Sequence, residues 1–134
     1  AHDRGATLLP SGLVLVEGGQ NDSGGITDAE LYHPRTGTWT VTGPLHISHG
    51  YQTGGPPTLL PNGQVLVAGN AFDSSGTPIA DAELYHPATG AWTMAPSMNE
   101  ARLAPTATLL PDGEVLVAGG GGNSVFDSAE LYHP

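Results

Sequence analysis

Three glutamates and three histidines recur at matching places in this 134-residue chain: Glu30, Glu83 and Glu130, then His33, His86 and His133. Each pair sits in the same string, Ala-Glu-Leu-Tyr-His-Pro, at 29–34, 82–87 and 129–134. Carboxylate and imidazole are common zinc ligands and common acid–base groups. Repetition argues against a shared centre. Equivalent residues of successive repeat units stand a unit's width apart, whereas all ligands of one ion must come within about 2 Å of it. The carboxylates are therefore expected to take backbone donors or an Arg within their own unit, and each histidine to bond the tight turn that follows. No metal and no cofactor is expected.

The elements that carry these residues are legible as repeats. Thr-Leu-Leu-Pro begins at Thr7, Thr58 and Thr108, and each copy runs through a Pro-x-Gly turn into an apolar run, Leu13–Val16, Val65–Ala68 or Val115–Ala118. Thr-Gly-x-Trp-Thr follows the His-Pro string at 36–40 and 89–93. The units are 1–50, 51–100 and 101–134, one repeat region with an incomplete last unit. Self-similarity at about 50 residues is a sign of repeat architecture. Each full unit predicts four antiparallel strands, and the last predicts three, eleven in all. Gly closes the hairpin turns, and Pro ends the third strand because it cannot donate to a ladder. The second run is apolar on both faces, as in a strand covered on both sides. On that basis Leu116 is expected in the core, and Trp39 and Trp92 are expected to pack between sheets. No segment has a sustained helical period.

The period, the closing glycines (Gly18-Gly19, Gly119-Gly120), the Tyr of each third strand (Tyr32, Tyr85, Tyr132) and the Trp seven positions later (Trp39, Trp92) resemble the kelch family over the whole chain. The variant is most similar to bacterial kelch repeats related to the galactose-oxidase central domain. The resemblance implies an all-β, kelch-type β-propeller segment of three blades, two four-stranded and the last three-stranded, amounting to half of a six-bladed propeller. The chain departs from the pattern at Asn70, in place of a glycine, and keeps the Arg that opens the repeat only as Arg102, with Gln52 and Ala1 at the aligned places.

In such a blade, turns one-to-two and three-to-four share one face, and here they are clipped. The other face receives Gln20–Thr27, Ala71–Ile79 and Gly121–Phe126 within units, and Thr42–Thr53 and Ala95–Pro105 between them. Ligand contacts concentrate in long loops on rigid scaffolds, and the resemblance implies that this face carries the partner site. The candidate ligand-binding residues are Asn21, Asp22, His46, His49, Tyr51, Asn70, Phe72, Asp73, Asn99, Arg102, Asn123 and Phe126. Asn21-Asp22-Ser23 fits a glycosylation acceptor, and the loops near Asp22 and Asp73 hold oxygen donors without the spacing of a known Ca²⁺ loop.

Composition narrows the partners. The net charge is −10, with no Lys and only three Arg, so nucleic acid and anionic membranes are not expected partners. No apolar run approaches the roughly 20 residues of a membrane-spanning helix. The compartment is left open, a secreted or extracellular location among the choices. The absence of Cys excludes disulfides and Cys nucleophiles, and it disfavours copper radical oxidase chemistry built on a Cys–Tyr crosslink. A sugar-active kelch enzyme using Glu100, Arg102 and His49 is a further alternative. The expected function is a non-catalytic binding module for a protein or glycan, in a propeller completed by a homodimer. The alternative is a structural fragment of a longer kelch propeller.

Overall fold

A computed structural model of the chain describes residues 5–18, 20–21, 24–25, 27–49, 57–69, 71–73, 75, 77–121 and 127–134. Among them there is no helix, and three antiparallel sheets of three or four strands carry the fold. The first orders β1 (Gly5–Leu8), β2 (Val14–Glu17), β5 (Ala29–His33) and β6 (Thr38–Thr42). The second orders β8 (Pro57–Leu59), β9 (Val65–Ala68), β12 (Ala82–His86) and β13 (Ala91–Ala95). The third holds β14 (Thr106–Leu109), β15 (Val115–Ala118) and β16 (Ala129–Tyr132). The eleven expected strands are all present.

Five further two-residue strands lie in stretches expected to be loops. They are β3 (Gln20–Asn21), β4 (Gly24–Gly25), β7 (Ser48–His49), β10 (Ala71–Phe72) and β11 (Pro78–Ile79). β3 pairs with β4, and β10 pairs with both β7 and β11, so the connections are themselves ribbons. Periodicity did not show them because two residues carry no period.

The hairpins follow directly from the sequence. Gly12, Gly63 and Gly113 take φ of 91°, 87° and 89°, which the Pro-x-Gly turns require of glycine. The two positions that close the second strand add a steric reason to the positive φ. A Cβ at Gly69, where φ is 92°, would lie 2.6 Å from Pro105 Cγ, and one at Gly120 2.6 Å from the Leu103 carbonyl oxygen. The chain passes too close there for a side chain.

The sheets stack face to face, with the first strands β1, β8 and β14 side by side. Leu15 and Ala29 of the first sheet pack with Val65, Val67, Tyr85 and Trp92 of the second. Leu66, Ala68, Ala82 and Ala95 on the second sheet's other face pack with Val115 and Val117 of the third. Polar hooks reinforce the first contact: Trp92 Nε1 donates to the Gly43 carbonyl at 2.7 Å, and Thr42 Oγ1 lies 2.8 Å from the Tyr85 hydroxyl.

Two expectations about packing need correction. Among the three second strands, β9 is buried along its whole length while β2 and β15 alternate, because the described residues cover each outer sheet on one face alone. Trp39 is therefore 53% exposed while its counterpart Trp92 is 4% exposed, although both stack on a tyrosine of the third strand, Tyr32 at 4.9 Å and Tyr85 at 5.0 Å between ring centroids. Leu116 is likewise only half-buried, and Leu66 is the fully buried equivalent. Leu66→Ala is expected to cost about 3 kcal/mol and Leu116→Ala about 1 kcal/mol in the isolated chain, measured by denaturant unfolding. Equal losses would contradict the one-sided burial of β15.

Candidate functional site

Among the described residues, the long-connection side shows two carboxylate clamps. Glu83, fully buried, accepts from the backbone N–H of His46 through Oε1 at 2.8 Å and from that of Ile47 through Oε2 at 3.0 Å. Glu130 repeats this, accepting from Asn99 N at 2.6 Å, from Glu100 N at 3.1 Å and from Arg102 Nε at 3.2 Å. Backbone donors and an Arg are found as expected, but the backbone donors are not in the glutamate's own unit: His46 and Ile47 precede the unit of Glu83, and Asn99 and Glu100 precede that of Glu130, so each carboxylate ties down the connection that leads into its sheet. Charge-assisted bonds of this type are about twice as strong as neutral ones.

Arg102, expected among the loop-face contacts, is buried in the fold. Its side chain is 0% exposed, with Nη1 donating to the Gly119 and Ser128 carbonyls at 2.8 and 2.9 Å and Nη2 to Ser128 Oγ at 2.9 Å. The guanidinium straps the connection onto the ends of β15 and β16. Counted forward from each clamp, its counterpart in the first connection is His49, three residues beyond His46, and not Gln52.

The anchored connections hold exposed polar residues. His46 stands at the clamp, its Nε2 2.9 Å from the Trp92 carbonyl oxygen. Asn99 takes the same place at the second clamp and is exposed. Asp73 is exposed too, its Oδ1 accepting from Ser75 N, Ser75 Oγ and Thr77 N at 2.9, 2.7 and 3.0 Å, which shapes the β10–β11 connection. Asn21, His49 and Phe72 fall on the short ribbon strands β3, β7 and β10. Asp22, Tyr51, Asn70, Asn123 and Phe126 lie outside the described residues.

The recurring histidines do not bond their turns through the side chain. His33 Nε2 lies 2.8 Å from Thr40 Oγ1 and His86 Nε2 2.7 Å from Thr93 Oγ1, across to the fourth strand. The turn is served by their backbone carbonyls, which accept from Gly37 N and Gly90 N at 2.8 Å. His133 pairs through Nδ1 with Glu114. Beside it, the Glu114 backbone N–H holds the Asp112 carboxyl below its usual range, and the hydrogen bond with Asp112 pushes that of Glu114 up. Among the described residues no three His, Asp or Glu side chains come together as a metal site would need.

Sequence reading missed a cleft on the opposite, short-turn side. It measures about 560 Å³ and lies between the first two sheets, lined by Leu9, Leu13, Leu31, Asn62, Gln64 and His86 among others. Leu9 and Leu13 of the β1–β2 turn converge there with Leu31 of β5, and no linear motif marks such a convergence.

No family model matches the chain. An F-box/kelch-repeat protein of Arabidopsis thaliana is 36% identical to it over 74 residues, which is 53% of this chain and 15% of that protein. The chain therefore corresponds to a small part of that relative.

Proposed function

We propose that the chain is a non-catalytic interaction module of the kelch propeller kind, with its three sheets as blades and its long-connection side presented to a protein or glycan. The observation that carries this reading is the asymmetry of anchoring. The buried Glu83 and the Glu130–Arg102 pair fix the backbone of two connections, and that rigid backbone holds His46 and Asn99 outward while Asp73 shapes a third connection beside them. A pre-ordered polar surface loses little freedom on binding, which favours recognition. The partial likeness to a kelch-repeat protein supports the same reading.

A propeller assembled from two chains fits the outer faces. The first sheet exposes Leu8 (64%), Trp39 (53%) and Val41 (85%), and the equivalents of the first two, Leu59 and Trp92, pack against the first sheet. The third sheet exposes Leu131 (46%) beside the half-buried Leu116, positions matching the Leu31 and Leu15 that cover Trp92. These are the two halves of an interface the chain already builds internally, and exposed apolar faces of that kind favour association. The same faces favour a second reading, a structural segment of a longer propeller. Sedimentation of the chain is expected to give twice the monomer mass; a monomer overturns the two-chain assembly and leaves the binding reading intact.

The binding reading is tested with a glycan array and a displayed protein-fragment library. The triple variant His46→Ala, Asp73→Ala, Asn99→Ala is expected to lose at least about tenfold in affinity for whatever the chain binds, with little change in stability. Asn62→Ala, on the cleft side, is expected to retain binding. Loss with Asn62→Ala alone moves the site to the cleft, and no binding in either screen overturns the proposal.

A further inference from the structure

We infer that the short-turn side carries a second binding site, for a small amphipathic carboxylate: an alkyl chain lying in the leucine cleft with its carboxyl group on Arg35. The cleft of about 560 Å³ between the first two sheets does not stand alone. A further cleft of about 260 Å³ lies between the two turns of the first sheet, lined by His33 and Arg35 among others, and Ser11 and Leu13 belong to both. The joined space has an apolar floor of Leu9, Leu13 and Leu31 and a polar end at His33 and Arg35. Its size is that of a small-molecule site, where an apolar lining and a few placed polar groups divide the work.

Comparison of the units shows what the first one changes. The residue before each second strand falls beside the recurring histidine: Leu13 by His33, Gln64 by His86 and Glu114 by His133. Gln64 holds His86 Nδ1 at 3.0 Å, and Glu114 holds His133 Nδ1. Leu13 offers no polar atom, so His33 keeps Nδ1 for a ligand while its Nε2 lies 2.8 Å from Thr40 Oγ1. The Thr40 hydroxyl can donate to Nε2, and the imidazole proton then sits on Nδ1 as a donor to an anion. Two residues on, Arg35 stands where the second unit has Ala88. The second sheet folds with the other residue at both places, so neither change is needed by the sheet. Arg35 is exposed, and among the described residues no carboxylate pairs with it or lines either cleft, in a chain of net charge −10. One guanidinium and one neutral imidazole match a single negative charge, and the fork takes both carboxylate oxygens. The leucines take the methylenes, each of which adds about fourfold in affinity when buried.

Decanoate is the probe, titrated against the whole chain by calorimetry below its micelle concentration and located by side-chain NMR shifts. It is expected to saturate and to shift the methyls of Leu9, Leu13 and Leu31 together with the His33 imidazole. Decanol, which keeps the chain and lacks the charge, and the Arg35→Ala chain are each expected to lower affinity about tenfold, the scale of a charge-assisted bond. Leu13→Gln gives the first unit the second unit's residue and is expected to occupy His33 Nδ1 and weaken binding. Arg35→Ala is read independently of it, because an exposed arginine carries little of the fold. Failure to saturate overturns the inference, as does equal binding of decanol or undiminished binding by Arg35→Ala. Shifts at Leu8, Trp39 and Val41 in place of the cleft leucines would show adsorption to the exposed face and overturn it too. The triple variant of the long-connection side is expected to bind decanoate as wild type does, so the two sites fail separately; loss of decanoate in that variant overturns the placement in the cleft.

Discussion

Arg102→Ala is expected to destabilise the chain by about 3–5 kcal/mol, the cost of truncating one member of a buried ion pair. The side chain has no exposed surface, and its fork reaches two carbonyls, one hydroxyl and one carboxylate drawn from Gly119, Ser128 and Glu130. Removing it leaves those acceptors without their donors, and water reaches only part of them, at Ser128 and Glu130. Arg102→Lys is expected to recover little, because an ammonium cannot match a planar fork that serves four acceptors at once. Denaturant unfolding measures the loss, and hydrogen exchange should show it first around Gly119 and Ser128. If the alanine variant keeps its stability and loses only ligand binding, Arg102 returns to the surface as a contact residue.

That case shows how far the sequence reads. The hairpin turns were legible because Pro-x-Gly names a local geometry, whereas the registers that set Tyr32 opposite Trp39 and Tyr85 opposite Trp92 are read only in the structure. Burial across sheets was not legible. Trp39 and Trp92 occupy one place in the repeat, yet only Trp92 meets a neighbouring sheet. Leu66 and Leu116 differ for the same reason. The candidate site was read in part: Glu83 and Glu130 were recognised as taking backbone donors, but Glu83 finds its donors 37 and 36 residues upstream. Arg102 looked like a loop residue because a strap and a surface arginine share one letter. What decides between them is where the following glycines let the chain pass, and Gly120 against the Leu103 carbonyl is a contact made in three dimensions.

Glu83 gives the other large expected effect. Glu83→Ala is expected to cost about 3–5 kcal/mol, since it leaves two backbone N–H groups without their charged acceptor in a buried site. The Glu130→Ala loss should be similar, because the little water that reaches Glu130 does not replace the carboxylate facing the fully buried Arg102 guanidinium. Glu83→Gln separates charge from shape: one carbonyl oxygen still accepts, but the amide NH₂ faces the second N–H, donor against donor. It should fall between wild type and alanine, at about 2 kcal/mol. The clamp also joins stability to recognition, because the freed backbone is the one that carries His46. Both variants should therefore raise exchange at the His46 and Ile47 amides and weaken binding by any ligand of that side. A Glu83→Ala chain that unfolds early yet binds normally when folded would place the ligand on other connections, since the two consequences arise from the same pair of hydrogen bonds.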